Sequence, residues 1–562
     1  MSKRTGRLFR VGGAMTLVLF AVVLLTQTRA IRNELVRRAH PYVVLVSIDT
    51  LQINRTGPYN PEVRGTPALD AFAREGVLFR YAYTPAPITL PAHTSLLTGV
   101  SPLGHGVMAN GDVVPSSLTT LAEILREAGY QTAAFVSLGV LARAFRLDQG
   151  FDFYEDSFHQ KGGRTYIRAH EVFGPVEKWL SRSHGEPFFI WVHFSDPHDP
   201  YVPVGASPDT RVTFDGRLVG EWNLVSKEPV SLSLVLPPGR HRLSWTSLRG
   251  AQPDDRPETC VRLYVHNREG LGPFVPSPLP ETDVGVDLRP SWDLALENPM
   301  SHEVEIRLQF TGELVRPAPS DVLDAYRREV EYTDHYLGKL RRLFEILGID
   351  GDTLWVIVSD HGEGLFNHDV LGHAEFVFED QLRILWLMRG PGVPRGTVVE
   401  KPPGLMVDVA PTLLASMGLA VPAEMEGRSL VECWESPSGA RPCTTREEGW
   451  WAYGVRHATN SLTAMAGYHW PYKWIWRRGR GRVAYHVLDD PWEARDLLQK
   501  PGPERAGELK ALAERFRNER QAYNRRLKDP RRLAQQDAQH RELLRSLGYL
   551  GGSSQPVPEE PR

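Results

Sequence analysis

Thr353-Leu-Trp-Val-Ile-Val-Ser-Asp-His-Gly-Glu363 decides how the rest of this chain is read. Leu354 to Val358 is an unbroken apolar run, mostly β-branched. A strand wet on one face would alternate; an unbroken run needs cover on both faces, as in a parallel sheet between helices. The run ends in Ser359-Asp360-His361-Gly362-Glu363, so carboxylate and imidazole appear where the strand leaves the core. Ligand crevices of open α/β sheets lie at that edge, outside the carboxyl ends of the strands. Tyr42-Val-Val-Leu-Val-Ser-Ile-Asp49-Thr50 repeats the design, with Asp49 at a second strand tip. Asp49, Asp360 and His361 together form a candidate divalent-metal site. The alternative is that each Asp caps the loop or helix after its strand.

Working outward, strands and helices alternate on both sides of these two runs. Pro67–Glu75 has the helical pattern and stops at Gly76. Thr89-Leu-Pro-Ala-His93 opens a helix, because Pro91 fits a first turn, where an N–H is not needed. Thr89 then sits at a strand-to-helix junction with backbone N–H groups around its hydroxyl, a ready anion site. Helices are expected at Ser117–Ala128, Ile167–Leu180, Val322–Leu347 and Val407–Ser416, and strands at Gln131–Ser137, Pro187–Ser195 and Leu382–Met388. The expected class is α/β: a mainly parallel sheet sandwiched by helices.

The pattern changes between about 204 and 316. Val212–Phe214, Ser231–Leu236, His241–Thr246, Val261–His266 and Glu303–Phe310 are short alternating runs broken by Pro, Gly and Asp, the pattern of a β-sandwich. Five segments result: 1–40 as amino-terminal signal anchor or signal peptide with linker, 41–203 as the first part of a catalytic domain, 204–316 as an inserted β-sandwich-like domain, 317–435 as the second catalytic part, and 436–562 as an α+β subdomain with a charged helical tail. Trp222, Trp245 and Trp292 of the insertion are read as core rather than as a sugar platform. In the last segment strands are expected near Trp450–Val455, Tyr472–Trp476 and Val483–Val487, and a helix across Glu504–Asp529. Lys473 and Arg477 are expected at the surface.

Composition sets bounds on function. A net charge of −3 over 562 residues leaves no nucleic-acid footprint. Lys3, Arg4, Arg7 and Arg10 precede the apolar run Ala14–Leu25, which keeps that end in the cytoplasm and sends the remainder across the membrane. Thr28-Arg-Ala30 is a poor cleavage site, so the expectation is an uncleaved anchor with the catalytic part on the periplasmic or extracellular side. Of three cysteines, Cys260 is isolated, whereas Cys433 and Cys443 either pair in an oxidising compartment or stay free.

Several ordered motifs resemble one family. Thr66-Pro-Ala-Leu-Asp-Ala-Phe-Ala-Arg-Glu-Gly-Val, Thr89-Leu-Pro-Ala-His-Thr-Ser-Leu-Leu-Thr-Gly99, His105-Gly106, Phe189-Ile-Trp-Val-His-Phe-Ser-Asp-Pro-His-Asp-Pro-Tyr201, Ser359-Asp-His-Gly-Glu-Gly364 and His373 within Gly-His-Ala-Glu resemble the sulfatase-like branch of the alkaline phosphatase superfamily. The likeness spans roughly 41–203 and 317–435. It implies an ester hydrolase, and the family pattern breaks at the nucleophile signature. Sulfatases carry formylglycine made from Cys or Ser in a Cys/Ser-x-Pro-x-Arg signature. Here Thr89 stands at that position and His93 at the Arg, so no formylglycine is expected. The element is similar to the Thr-x-Pro-x-His of nucleotide pyrophosphatase/phosphodiesterases; those enzymes and the phosphoethanolamine transferases use a Thr nucleophile.

The resemblance implies a metal held by Asp49, Asp360, His361 and the Thr89 oxygen. An imidazole ligand favours Zn or Mn over Ca. His198 and His373 are implied as substrate-contacting or leaving-group residues, or with Asp196 as a second metal site. His105 and His193 are read as structural, and His93 either contacts Thr89 or the anion or simply packs. The expected function is hydrolysis of phosphodiester, phosphonate or sulfate esters of a small molecule, glycan or lipid. The alternatives are a phosphoethanolamine-type transferase acting on envelope glycan or lipid, and a non-catalytic binding module of the same fold.

Overall fold

The computed structural model describes residues 31–160, 165–182, 185–199, 201, 210–222, 230–247, 261–266, 286–288, 291–314, 319–401, 403–435, 449–456, 461–499 and 503–529. The chain divides into two compact units, Met1–Ser195 with Thr333–Arg562, and Asp196–Tyr332.

The first unit is built on an eight-stranded sheet. Its strands are β1 (Tyr42–Ile48), β2 (Val77–Phe79), β3 (Gln131–Phe135), β4 (Phe153–Glu155), β5 (Phe188–Phe194), β6 (Thr353–Ser359), β7 (Trp386–Arg389) and β8 (Thr397–Val399), in the spatial order β8-β2-β7-β6-β1-β5-β3-β4. The unbroken apolar runs take the centre. β1 lies parallel to β6 on one side and to β5 on the other, with Val44 opposite both Trp355 and Ile190. Every residue of β5 and β6 is buried. The sheet is mixed, because β7 runs antiparallel to both β6 and β2.

Two helices matter for the site. α1 (Pro67–Glu75) starts on proline and ends at Gly76. The Asp334 carboxylate accepts the Ala68 and Leu69 N–H groups at 2.9 and 2.8 Å, satisfying donors that a helix start leaves open. α2 (Thr89–Thr98) is buried at all ten positions and ends at Gly99, whose φ of 67° gives the left-handed stop.

A second, four-stranded antiparallel sheet of this unit runs Trp450–Arg456, Ser461–His469, Tyr472–Arg477, Gly481–His486. The helix Pro503–Leu527 packs Phe516, Tyr523 and Leu527 into a cluster with Tyr453, Leu462, Met465, Trp474 and Trp476.

Some boundaries move. The expected helix from Ser117 begins only at Leu121, where Thr120 and Glu123 form a reciprocal capping box. Glu379–Leu382 is a helical turn, so the strand expected from Leu382 starts at Trp386. Ser461–His469 is a strand that the sequence did not announce.

The second unit contains two four-stranded antiparallel sheets. One has the order Ser291–Asn298, Gly239–Ser247, Thr210–Phe214, Arg217–Trp222; the other Val286–Leu288, Val261–His266, Val304–Leu314, Val230–Leu236. Alternate residues Leu232, Leu234 and Leu236, with Leu243 and Trp245, are buried. Trp245 is therefore core; the side chains of Trp222 and Trp292 lie outside the described residues.

The amino-terminal apolar run lies outside the described residues. Among the described residues no helix is long and apolar enough to cross a membrane. Cys433 is disulfide-bonded, while Cys260 and Cys443 both lie outside the described residues.

Candidate metal centre and the threonine beside it

Asp49 and Asp360 follow directly on β1 and β6, neighbouring parallel strands, so their backbones are side by side. The Asp360 N–H donates to Ile48 O at 3.3 Å and the Asp49 N–H to Phe194 O at 2.9 Å. Ligand atoms of Asp49, Asp360 and His361 all lie within 4.8 Å of one another, and all three residues are fully buried. His361 Nε2 is 3.3 Å from Asp360 Oδ2 and 3.9 Å from Asp49 Oδ1.

The donors are preset for a cation. His361 Nδ1 lies 2.9 Å from the Gly362 carbonyl, which can only accept; the proton is therefore on Nδ1, and Nε2 presents its lone pair to the carboxylates. Asp360 Oδ1 accepts from the Thr50 and His361 N–H groups at 3.1 and 2.7 Å, while Oδ2 is buried with no hydrogen-bond partner. Burial, and the Asp49 carboxylate next to it, push the Asp360 carboxyl well above its ordinary range. Two buried carboxylates and an imidazole lone pair at this spacing fit a divalent ion, which removes the penalty.

Backbone strain is spent on this arrangement. Thr50 has φ 54°, a left-handed conformation uncommon for a β-branched residue. It turns the Thr50 N–H onto Asp360, at a cost of roughly 1–3 kcal/mol.

Thr89 is the first residue of α2. Its Oγ1 is buried and has no hydrogen-bond partner. Asn110 Oδ1 accepts the Leu90 N–H at 2.9 Å. His93 ties this turn to the cluster. Its Nδ1–H donates to the Thr89 carbonyl at 2.8 Å and lies 3.7 Å from Asp360 Oδ2. Its Nε2 accepts from Ser47 Oγ at 2.9 Å, and Ser47 Oγ accepts from Trp191 Nε1 at 2.9 Å. Burial, with His193 beside it, lowers the His93 pKa to about 3, so this imidazole is neutral. It cannot supply the charge of the arginine that sulfatases carry there.

His193, read as structural, lies 3.4 Å from Asp49 Oδ2 through Nε2, with Nδ1 2.8 Å from Ser137 Oγ. His105 is structural: its Nε2 meets Ser95 Oγ at 3.0 Å and its Nδ1 accepts the Val107 N–H at 3.0 Å. His373 comes to the cluster, its ring centroid 4.7 Å from that of His361. Its Nδ1 sits 3.2 Å from the buried carboxylate of Glu363, a partner the sequence reading did not single out. The loop carrying His373 holds Phe366, His368, Asp369 and Ala374 at positive φ. Asp196 and His198 belong to the second unit, where His198 Nδ1 lies 2.6 Å from Asp199 O.

Lys473 is not at the surface. It is fully buried, 3.0 Å from Glu379 Oε1 and 2.8 Å from Glu493 Oε1. Tyr468 and Tyr83 also donate to Glu379, at 2.7 and 3.0 Å. Glu493 Oε2 accepts the Glu379 N–H at 2.7 Å. This network holds Phe378–Gln381, which backs onto the metal loop: Gly362 N–H donates to Gln381 O at 2.9 Å. A Cβ on Gly362 would lie 2.0 Å from Asp380 O. Gly362→Ala is expected to displace His361 and weaken metal binding at least ~10-fold, with about 1–3 kcal/mol lost from overpacking. Calorimetric metal titration checks it; an unchanged affinity refutes it.

Comparisons with known proteins give the family of the chain. Residues 41–419 match the family model described as Sulfatase. An N-acetylglucosamine-6-O-sulfatase of Bacteroides thetaiotaomicron is 22% identical over 488 residues, 82% of this chain and 81% of that protein. A phosphonate monoester hydrolase of Agrobacterium radiobacter superposes with a TM-score of 0.56 at 18% identity, covering 86% of this chain and 96% of that one. A structure in complex with its substrate D-glucosamine-2-N,6-O-disulfate superposes with a TM-score of 0.57 at 19% identity, over 87% and 99%. With most of the first unit matched in sequence and the sheet matched in structure, the chain belongs to the sulfatase family and is one of the hydrolases of the sulfatase-like branch of the alkaline phosphatase superfamily.

Proposed function

We propose that this enzyme hydrolyses sulfate or phosphate-type esters of glycans, with Thr89 as nucleophile and a divalent metal as cofactor. The observation that carries the reading is the buried, unpartnered Thr89 Oγ1 at a helix start, linked through His93 to the Asp360 side of the Asp49–Asp360–His361 cluster.

The side chains divide the work as follows. Asp49, Asp360 and His361 Nε2 would hold the ion, which lowers the pKa of a neighbouring hydroxyl and offsets oxyanion charge. Thr89 gives its proton to solvent water and its oxygen bonds to sulfur or phosphorus in line with the leaving alcohol, whose ester bond breaks with both electrons to the departing oxygen. His373, steadied through Nδ1 by Glu363, presents Nε2 as the acid that protonates the departing oxygen. Water then cleaves the ester on Thr89 and restores the hydroxyl. The positive end of the α2 dipole, at Thr89, favours the developing negative charge. Neutral His93 keeps the turn in place.

The sulfate and glycan part of the proposal is supported by the names of the relatives. Thr89 and the phosphonate monoester hydrolase likeness support the phosphorus side. The disulfide at Cys433 fits an exported enzyme, the location we assign to it.

The test is a panel of aryl sulfates, phosphate monoesters, diesters and phosphonates. Chelation is expected to lower turnover at least ~100-fold, and Zn or Mn should restore it better than Ca, given the imidazole ligand. Full turnover after chelation, or best recovery with Ca, would overturn the cofactor reading. Turnover of none of the esters would overturn the function.

A further inference from the structure

Arg477-Arg478-Gly479-Arg480-Gly481-Arg482 places four arginines in six residues of a chain whose net charge is −3. The segment is the turn between strands Tyr472–Arg477 and Gly481–His486, with Arg477 opposite Gly481 and Trp476 opposite Arg482. Gly479 and Gly481 have φ of 68° and 81°, so glycine is what permits the tight turn. Arg478, Arg480 and Arg482 are exposed, and among the described residues none is ion-paired. Elsewhere exposed arginines such as Arg327 and Arg328 pair with Asp324, and Arg342 with Glu345. The turn is thus a local excess of uncompensated guanidinium groups.

It is fastened to the loop that carries His373. The Arg478 N–H donates to Thr463 O at 2.8 Å, and Thr463 Oγ1 donates to Glu375 O at 2.8 Å. Arg456 grips the Glu375 carboxylate through two nitrogens, each at 2.9 Å. The Arg477 guanidinium lies 5.8 Å over the Phe378 ring of the same loop. Glu375 is two residues from His373, a span of at most about 7 Å of chain.

We propose that this arginine turn binds anionic groups flanking the reacting ester, so that the enzyme selects polyanionic glycans bearing more than one sulfate or phosphate. This rests on the glycan-ester reading above. Guanidinium groups match tetrahedral oxyanions with paired N–H donors. Three of them within a Debye length of one another raise the local concentration of a polyanion far more than that of a monoanion. Nucleic acid is the less suited polyanion: Trp474 and Trp476 beside the turn are buried, so neither ring is offered to bases for stacking.

The experiment uses the full chain and an Arg478→Glu/Arg480→Glu/Arg482→Glu variant. Dextran sulfate binding is titrated at several salt concentrations, alongside kcat/KM on whichever small aryl monoester the wild type turns over. The triple variant is expected to bind dextran sulfate at least tenfold more weakly with a flatter salt dependence, while aryl-ester kcat/KM stays within twofold. Equal dextran sulfate binding would refute the proposal, as would parallel loss on the aryl ester, or tighter wild-type binding of single-stranded DNA of matched charge. A wild type inert toward all small esters would refute the glycan-ester reading alone, since dextran sulfate binding reports on the turn independently.

Discussion

Thr89→Ala is expected to lower ester turnover by at least ~10³-fold while leaving the protein folded and metal-competent, because the covalent route vanishes and only binding and charge stabilisation remain. The structure makes this variant unusually clean. Thr89 Oγ1 has no hydrogen-bond partner, so its removal orphans no donor or acceptor. The helix-start contacts run through the backbone: the Thr89 carbonyl still accepts from His93, and the Leu90 N–H still donates to Asn110. Thr89→Ser should retain part of the rate, since a primary hydroxyl occupies the same position. Acid quenching during turnover, followed by peptide mass spectrometry, should find the sulfo or phospho adduct on Thr89 in the wild type and on no residue in the alanine variant. Undiminished turnover of Thr89→Ala would mean that water attacks the ester directly.

Lys473→Met should produce the largest loss of stability. Lys473 is the cation between Glu379 and Glu493, both buried. Removing one member of a buried ion group costs about 3–5 kcal/mol, since the remaining charges cannot reach water. Even with Lys473 present, burial and the nearby Glu379 carboxylate push the Glu493 pKa up to about 7, and burial pushes Asp380 to about 8. The sign follows from these directions. A carboxyl whose folded pKa is raised stabilises the fold fully below its unfolded pKa, and that contribution is lost as pH rises through the folded value. Wild-type stability should therefore decline from about pH 5 to pH 8, and the Lys473→Met deficit should be larger at pH 8 than at pH 5.5. Urea midpoints at the two pH values measure this. Lys473→Met/Glu493→Gln should recover part of the loss; a deficit independent of pH would argue against charge burial as its cause.

The centre of the fold was legible because β1 and β6 are continuous apolar runs whose polar residues begin only at the strand tips. Asp49, Asp360 and His361 could be placed together on that ground. Thr89 could be placed from Pro91, which fits the first turn of a helix. What escaped was set by partners distant in sequence. Lys473 sits in Tyr-Lys-Trp-Ile-Trp, where a lysine reads as solvent-facing; its carboxylates are Glu379 and Glu493, and no local spacing points to either. The aromatic residues packed around it were the available sign that both faces of that strand are covered. Ser461–His469 carries Ala464, Ala466 and Gly467, weak strand formers, and becomes a strand because both its edges are paired. Glu363 was within view beside Asp360 and His361, but its role depends on His373 folding back over a strained loop, which no periodicity reveals.

The adjacency of β1 and β6 also has a consequence for synthesis. The Thr50 N–H and the Asp360 carboxylate that it meets are 310 positions apart. At about 5–20 residues per second, a ribosome takes roughly 15–60 s to travel between them. Throughout that interval β1, an apolar strand destined for the sheet interior, has emerged while its parallel neighbour does not yet exist, and the metal cluster has one carboxylate of its two. An unpaired apolar strand edge is a template for association. A half-made site could not retain an ion, so a metal held by Asp49, Asp360 and His361 would enter only after the chain is nearly complete. Expression of this protein should depend on whatever shields that edge for the first minute of its existence.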